Sequence, residues 1–290
     1  MKSLKVMFLL SLIFGASCNT NSKKTLETEV HQPPIAEKKE TYHKKHGDRR
    51  LDNYFWLKER ENPEVIDYLE RENDYNDKMT AHTKDFQKNL FEEMKARIKE
   101  EDASVPYKYN GYWYITKFEK NKDYPIYLRK EERLDAKEEL LFDCNKEAEG
   151  HSYFNMKGLN VSPDNSLVAF GVDTVSRRNY TIRIKNLKTG ELYPEAIDAS
   201  TGSSTWAADN KTLFYTKKDP KTLRSHKIYR HILGTPASED VVVYSEDDDT
   251  FNTYVYKTKS DKYIIIGSNS TMTTELSLIH ISEPTRHGLI

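Results

Sequence analysis

Acyl transfer by a serine needs a nucleophile on a sharp turn, an oriented base and preformed donors for the oxyanion. The glycine-flanked serines are therefore the first residues to weigh. Two stretches have the composition, Gly202-Ser203-Ser204-Thr205-Trp206 and Gly267-Ser268-Asn269-Ser270-Thr271. Both lack the second glycine of a Gly-x-Ser-x-Gly elbow, and both sit among short strand patterns instead of at a strand-to-helix turn. No elbow of that form occurs in the 290 residues. His151 has no nucleophile near it in sequence and reads as a packing or capping residue. Asp247-Asp248-Asp249, after Glu246, lacks the alternation and the trailing Glu of a calcium loop, so it reads as a solvated hairpin end. No metal and no cofactor is expected. Cys144 reads as a small buried apolar residue. The dense run Tyr107, Tyr109, Tyr112, Trp113, Tyr114 reads as alternating faces of strands.

These residues need elements to hold them. The chain opens with a basic start, the apolar run Val6–Phe14 and Gly15-Ala16-Ser17-Cys18, which predicts a secretory signal over 1–18 with a lipobox-like end. Cys18 is then the expected lipidation site, although Gly15 stands where such motifs usually carry Leu. Lipidation would tether the protein at the envelope after export, to the periplasm or its membranes. Residues 19–40, rich in Lys, Asn, Thr and Glu with Pro33-Pro34, predict a flexible tether. An N-terminal helical segment is expected over 41–102. Asn62-Pro63 opens its first helix, with Val65, Ile66, Leu69, Tyr75 and Met79 on the apolar side. A second helix, about Thr83 to Lys99, places Phe86, Leu90, Phe91, Met94 and Ile98 at helical spacing.

From residue 103 to 275 the pattern changes to short strands. Eleven are expected, starting at Val105–Tyr109 and Tyr112–Lys117 around the hairpin dipeptide Asn110-Gly111, and ending at Tyr263–Ile266. The phrase Val161-Ser-Pro-Asp164-Asn165 returns as Trp206-Ala-Ala-Asp209-Asn210, and more loosely as Lys259-Ser260-Asp261-Lys262. Repeats of this length built from short strands and an Asp-containing turn predict propeller blades, because a lone four-stranded blade cannot bury both faces. The expected fold class is mainly β: a partial β-propeller of about three blades behind a two-helix segment. The net charge of −1 gives no reason to expect a nucleic-acid partner, and a membrane is expected only through Cys18.

The stretch His46-Gly47-Asp48-Arg49-Arg50-Leu51-Asp52-Asn53-Tyr54-Phe55-Trp56-Leu57 resembles the N-terminal entry of the prolyl oligopeptidase family, in its oligopeptidase B branch, with Asn53 where that family usually has Pro. Pro63-Glu64-Val65, Tyr68-Leu69-Glu70, Ser104-Val105-Pro106-Tyr107, Tyr124-Pro125-Ile126-Tyr127 and Glu147-Ala148-Glu149-Gly150-His151 continue the likeness over about residues 41–275. The resemblance implies a serine peptidase whose seven-bladed propeller gates an α/β-hydrolase domain and admits short peptides, cleaved after Arg or Lys. It places the Ser, Asp and His of the triad beyond this chain, so no catalytic residue and no hydrolase domain is expected here. It also gives Glu149 an expected role as an interdomain latch toward a basic residue near the catalytic His; the plain alternative is an exposed turn residue. Inward tyrosines of the aromatic run would face substrate in the gap between the domains. A proline-specific oligopeptidase fragment and a lipid-anchored propeller binding module are the competing readings.

The last residues stand apart. LSLIHISEPTR, residues 276–286, is the translation of a transposase-type adapter used in sequencing libraries, so residues 276–290 are expected to be an adapter-derived tail. The chain alone is expected to be catalytically inactive.

Overall fold

The computed structural model describes residues 31–280. The signal over 1–18, Cys18 and residues 281–290 lie outside the described residues. Two compact units divide the chain, with the boundary between Ile98 and Lys99.

In the first unit, β1 (Thr41–Lys45) and β2 (Asp48–Asp52) form an antiparallel hairpin that the sequence pattern did not announce. His46 and Gly47 both take positive φ at its turn, 51° and 82°, as a two-residue hairpin connection of this kind requires. Of the expected tether, residues 31–40 are irregular. Their last residues are nonetheless anchored: the Trp56 indole donates to the Glu37 carbonyl at 2.9 Å, and the Lys39 ammonium pairs with Glu64 and sits over the Trp56 ring. Helix α1 (Pro63–Thr80) starts as expected, with the Asn62 side chain accepting from the Glu64 amide at 3.0 Å and Pro63 in the first turn. Helix α2 (Lys84–Ala96) follows after a single 3-10 turn. Within this unit Val65 is the one buried residue of α1 and α2 has none, so Phe86, Phe91 and Met94 present their apolar faces outward.

The second unit is a succession of antiparallel blades. The first blade comprises β3 (Asp102–Ala103) and β4 (Tyr107–Tyr109), both paired with β5 (Tyr112–Phe118), then β6 (Ile126–Glu131) and β7 (Glu139–Asp143). Pro106, which has no amide hydrogen to give a ladder, lies between β3 and β4. A one-turn helix, α3 (Cys144–Glu147), leads into the second blade. That blade is β8 (Asn155–Val161), β9 (Leu167–Asp173), β10 (Tyr180–Asn186) and the first half of β11 (Ile197–Trp206). The second half of β11 opens the third blade, with β12 (Thr212–Lys218), β13 (Ser225–Ile232) and β14 (Val241–Ser245). Strand β11 serves two blades because Ala199 and Gly202 take positive φ in its middle, where the register shifts between Ser200 and Ser204. Three strands of a further blade follow: β15 (Asn252–Lys257), β16 (Tyr263–Asn269) and β17 (Thr274–His280). Strand β17 pairs with β16 from Thr274 to His280, and so includes the first residues of the segment read as a tail.

Period-two alternation puts a core between each pair of neighbouring blades. On β9, Val168 and Phe170 join Leu141, Phe142, Cys144, Phe154 and Met156 between the first and second blades. Leu167 and Ala169 point the other way, to Ile182, Ile184, Trp206, Leu213 and Tyr215 between the second and third. Phe214, on the opposite face of β12 from Leu213, meets Ile264 of the last blade. No blade has a core of its own; each is stabilised by apolar area shared with a neighbour. The partial propeller expected from the repeat is the fold observed.

Candidate functional site

The turns that lead into β5, β9, β12 and β16 lie at one end of the blades. Each carries a residue in the left-handed region: Asn110, Asn165, Asn210 and Asp261, with φ between 45° and 62°. Asn and Asp tolerate that conformation better than other side-chain residues, which is why the repeat ends in them. Successive blades are tied through these turns. The Asn110 side chain donates to the Pro163 carbonyl at 2.7 Å, and the Asn165 side chain donates back to the Asn110 carbonyl at 3.1 Å. The Asp164 amide in turn donates to the Asn210 side chain at 2.9 Å. Arg129 on β6, 3% exposed, adds a fork onto Glu139 at 2.8 Å and a bond to the Asn165 carbonyl, with its guanidinium over the Tyr112 ring.

Above this clamp lies a cavity of about 420 Å³ between the first and second blades. Tyr107, Tyr109, Tyr114 and Tyr127 line one side, and Gly158–Val161 the other. Strand alternation turns Trp113 away from the face that Tyr107, Tyr109, Tyr112 and Tyr114 share. Tyr107, Tyr109 and Tyr114 reach the cavity, whereas Tyr112 packs beneath Arg129 and the Trp113 indole donates to the Glu132 carbonyl on the outer side. Tyr107 and Tyr114 stack at 5.3 Å. Desolvation raises the hydroxyls of Tyr107, Tyr114 and Tyr127 above the ordinary phenol range. For Tyr109 desolvation and the neighbouring Asp261 carboxylate, to which it donates at 3.2 Å, push it up to about 12. All four therefore stay neutral hydrogen-bonding groups in neutral solution. The cavity can hold an apolar or aromatic group and offer it hydroxyls; it contains no acid–base pair.

Glu149 lies at the other end of the blades, in the turn between α3 and β8, exposed and followed by Gly150 at φ 82°. Among the described residues it forms no ion pair. His151 stacks on Phe154 at 6.3 Å, a packing role. Cys144 is 1% exposed, its Sγ 3.8 Å from the Met156 sulfur, and burial pushes its thiol up to about 12. The serines first weighed make no nucleophile: Ser268 donates to Glu246 at 2.6 Å, Ser270 pairs with Thr273, and the Ser204 hydroxyl is buried without a partner. The run Asp247–Asp249 closes a turn, with Asp248 accepting from the Thr250 amide and hydroxyl.

One cluster went unread in the sequence. His231 Nδ1 lies 2.7 Å from Asp240, whose other oxygen accepts from the Tyr215 hydroxyl at 2.8 Å. This has the form of a base and its orienting carboxylate, but both side chains are sealed at 0% and 2% exposure. No substrate reaches them, so they pin β13 to the turn before β14. The nine-residue spacing of His231 and Asp240 across a loop carries no motif that would have revealed them.

The family model for the prolyl oligopeptidase N-terminal β-propeller domain matches residues 33–289. The chain belongs to the prolyl oligopeptidase family. Its relatives are peptidases. It is 39% identical to dipeptidyl aminopeptidase BI of Pseudoxanthomonas mexicana over 94% of this chain and 40% of that protein. It is 34% identical to protease 2 of Moraxella lacunata over 87% and 37%. Among solved structures, oligopeptidase B from Leishmania major superposes with a TM-score of 0.80 at 32% identity, covering 88% of this chain and 38% of that one. The chain thus spans about two fifths of the length of these relatives.

Proposed function

We propose that this chain is the N-terminal propeller portion of an exported serine oligopeptidase that hydrolyses short peptides after Arg or Lys. The observation that carries the reading is the likeness to oligopeptidase B, close in both backbone and sequence over most of the chain. In this reading the propeller restricts access to the reaction site. Glu149, exposed and in no ion pair among the described residues, latches the propeller to a basic residue of the catalytic part. The triad is supplied by sequence beyond this chain, residues 276–290 are adapter-derived, and the chain by itself hydrolyses nothing. The leader exports the protein and Cys18 carries lipid. A second reading, removal of dipeptides from peptide N-termini, is favoured by the 39% identity to a dipeptidyl aminopeptidase.

The test is to read the source gene past codon 275, express the whole frame and assay it. The proposal expects a Gly-x-Ser-x-Gly elbow followed by Asp and His, labelling by a fluorophosphonate, and cleavage of internally placed Arg or Lys bonds. Release of N-terminal dipeptides only would select the second reading. A stop codon after the present C-terminus would overturn both.

A further inference from the structure

We propose that the Glu149 end of the second and third blades holds an anion subsite for the C-terminal carboxylate of a peptide, formed by Lys157, Arg178 and Lys218 beside the ring of Tyr180. This deepens the peptidase reading and rests on it.

Strand register places the residues in one band. Asn155 on β8 pairs with Asp173 on β9, and Tyr180 on β10 pairs with Ser200 on β11. Ser200 pairs with Lys217 on β12, next to Lys218. Across this band the side chains converge. The Tyr180 hydroxyl donates to Asn155 at 3.2 Å, and the Lys157 ammonium stands 4.7 Å above the centre of the Tyr180 ring. The β9–β10 loop folds back because Asp173 accepts the amides of Val175, Arg177 and Arg178 at 2.9, 3.1 and 2.7 Å. That fold brings the Arg178 carbonyl to the Lys218 ammonium, which donates to it.

The result is a cluster of four cations around a single buried carboxylate, Asp173. Lys157, Arg177, Arg178 and Lys218 form no carboxylate pair among the described residues, and Asp173, the acid beside them, is 1% exposed with its oxygens turned to backbone amides. Desolvation lowers the ammonium of Lys157 below the ordinary lysine range. Desolvation and then the charges of Lys157 and Arg178 do the same to Lys218, against a smaller opposing pull from Asp173. Like charges held together this way repel one another, and an anion placed among them relieves the repulsion while gaining charge-assisted hydrogen bonds. A peptide's C-terminal carboxylate is the anion that every short peptide substrate brings.

The experiment is an NMR titration of the chain with an alanine-flanked arginine pentapeptide, as free acid and as C-terminal amide. The free acid should bind about tenfold more tightly at low ionic strength, as one charge-assisted contact gives, and the gap should narrow with added salt. Lys157→Gln with Lys218→Gln should abolish the gap, whereas Lys157→Arg with Lys218→Arg should keep it. Tyrosine near-ultraviolet dichroism checks that each variant is folded. Equal binding of acid and amide by the unaltered chain, or no binding of either, overturns the subsite. Inorganic phosphate binding more tightly than the free acid, with the same lysine dependence, reassigns the cluster to phosphate and overturns it too. Failure of the peptidase reading would show separately, as absence of peptide hydrolysis by the product of the whole gene.

Discussion

At the scale of single residues, the tightest constraint is where backbones touch without side chains between them. Gly202 takes φ 83°, and a Cβ there would meet the Tyr180 ring at 2.7 Å. Gly171, in ordinary extended geometry, and Gly158 both lie directly against the Gly202 backbone. Gly171→Ala should therefore cost about 1–3 kcal/mol, the usual range for overpacking, with no contribution from backbone strain. A denaturant midpoint equal to that of the unaltered chain would show that the inner strands can separate to admit a methyl group. Cys144 offers a second residue-scale check. Its thiol is buried and pushed up to about 12, so it holds almost no thiolate at pH 8 and should resist a maleimide in the native state. Labelling should become fast only in denaturant. Rapid native labelling would mean that the first inter-blade core opens freely.

At the scale of elements, the repeated turns couple charge to fold. Burial opposes ionisation of Asp164, but bonds from the Ser162 and Ser166 hydroxyls and the Ser166 amide win and hold its carboxyl below the usual range. Asp209 behaves alike with the Lys211 and Thr212 amides and the Thr212 hydroxyl. A folded-state value below the unfolded one means stability that is complete above the unfolded Asp value of about 3.9 and lost as pH falls through the folded value. The melting temperature should thus fall as the solution is acidified below about pH 4. Asp164→Asn with Asp209→Asn, which keeps an acceptor oxygen, should flatten that slope; an unchanged slope would place the acid sensitivity elsewhere. These turns were legible in the sequence because Asp-Asn at a left-handed position is a strong local signal. The middle strands were legible as well, since β9, β12 and β16 are nearly continuous apolar runs with both faces buried. Strands β8 and β11 were not. Their sequences, NMKGLNV and IDASTGSSTW, are thin in β-branched apolar residues, because the close approach at Gly158 and Gly202 selects small ones. Three of the four cavity tyrosines were visible as a run, but only the pairing of β4 with β5 shows that they share a face. The Lys157–Lys218 cluster joins residues 61 positions apart, through a strand register that no local pattern encodes.

At the scale of the whole second unit, stability should be nearly one-dimensional. Each core joins one blade to the next, and described blades that are not neighbours share none of the three cores. In such an array a lost contact weakens its own interface most and distant ones least. Ile264, fully buried between the third blade and the last, is the informative position, because the core around it is the smallest of the three. Ile264→Ala removes about 2–5 kcal/mol of packing, more than that small interface is expected to hold in reserve. Hydrogen exchange followed by mass spectrometry should then show β15, β16 and β17 losing protection together. Strands β5 to β10, supported by the two larger cores, should keep theirs. The opposite variant, Phe170→Ala between the first and second blades, should leave the last blade protected until the second unit unfolds globally. Uniform loss of protection after Ile264→Ala would mean that the blades fold as one cooperative body. The turn bonds at Asn110, Asn165 and Asn210, with the Tyr109–Asp261 bond that joins the first blade to the last, and not the apolar cores, would then be what transmits stability along the chain.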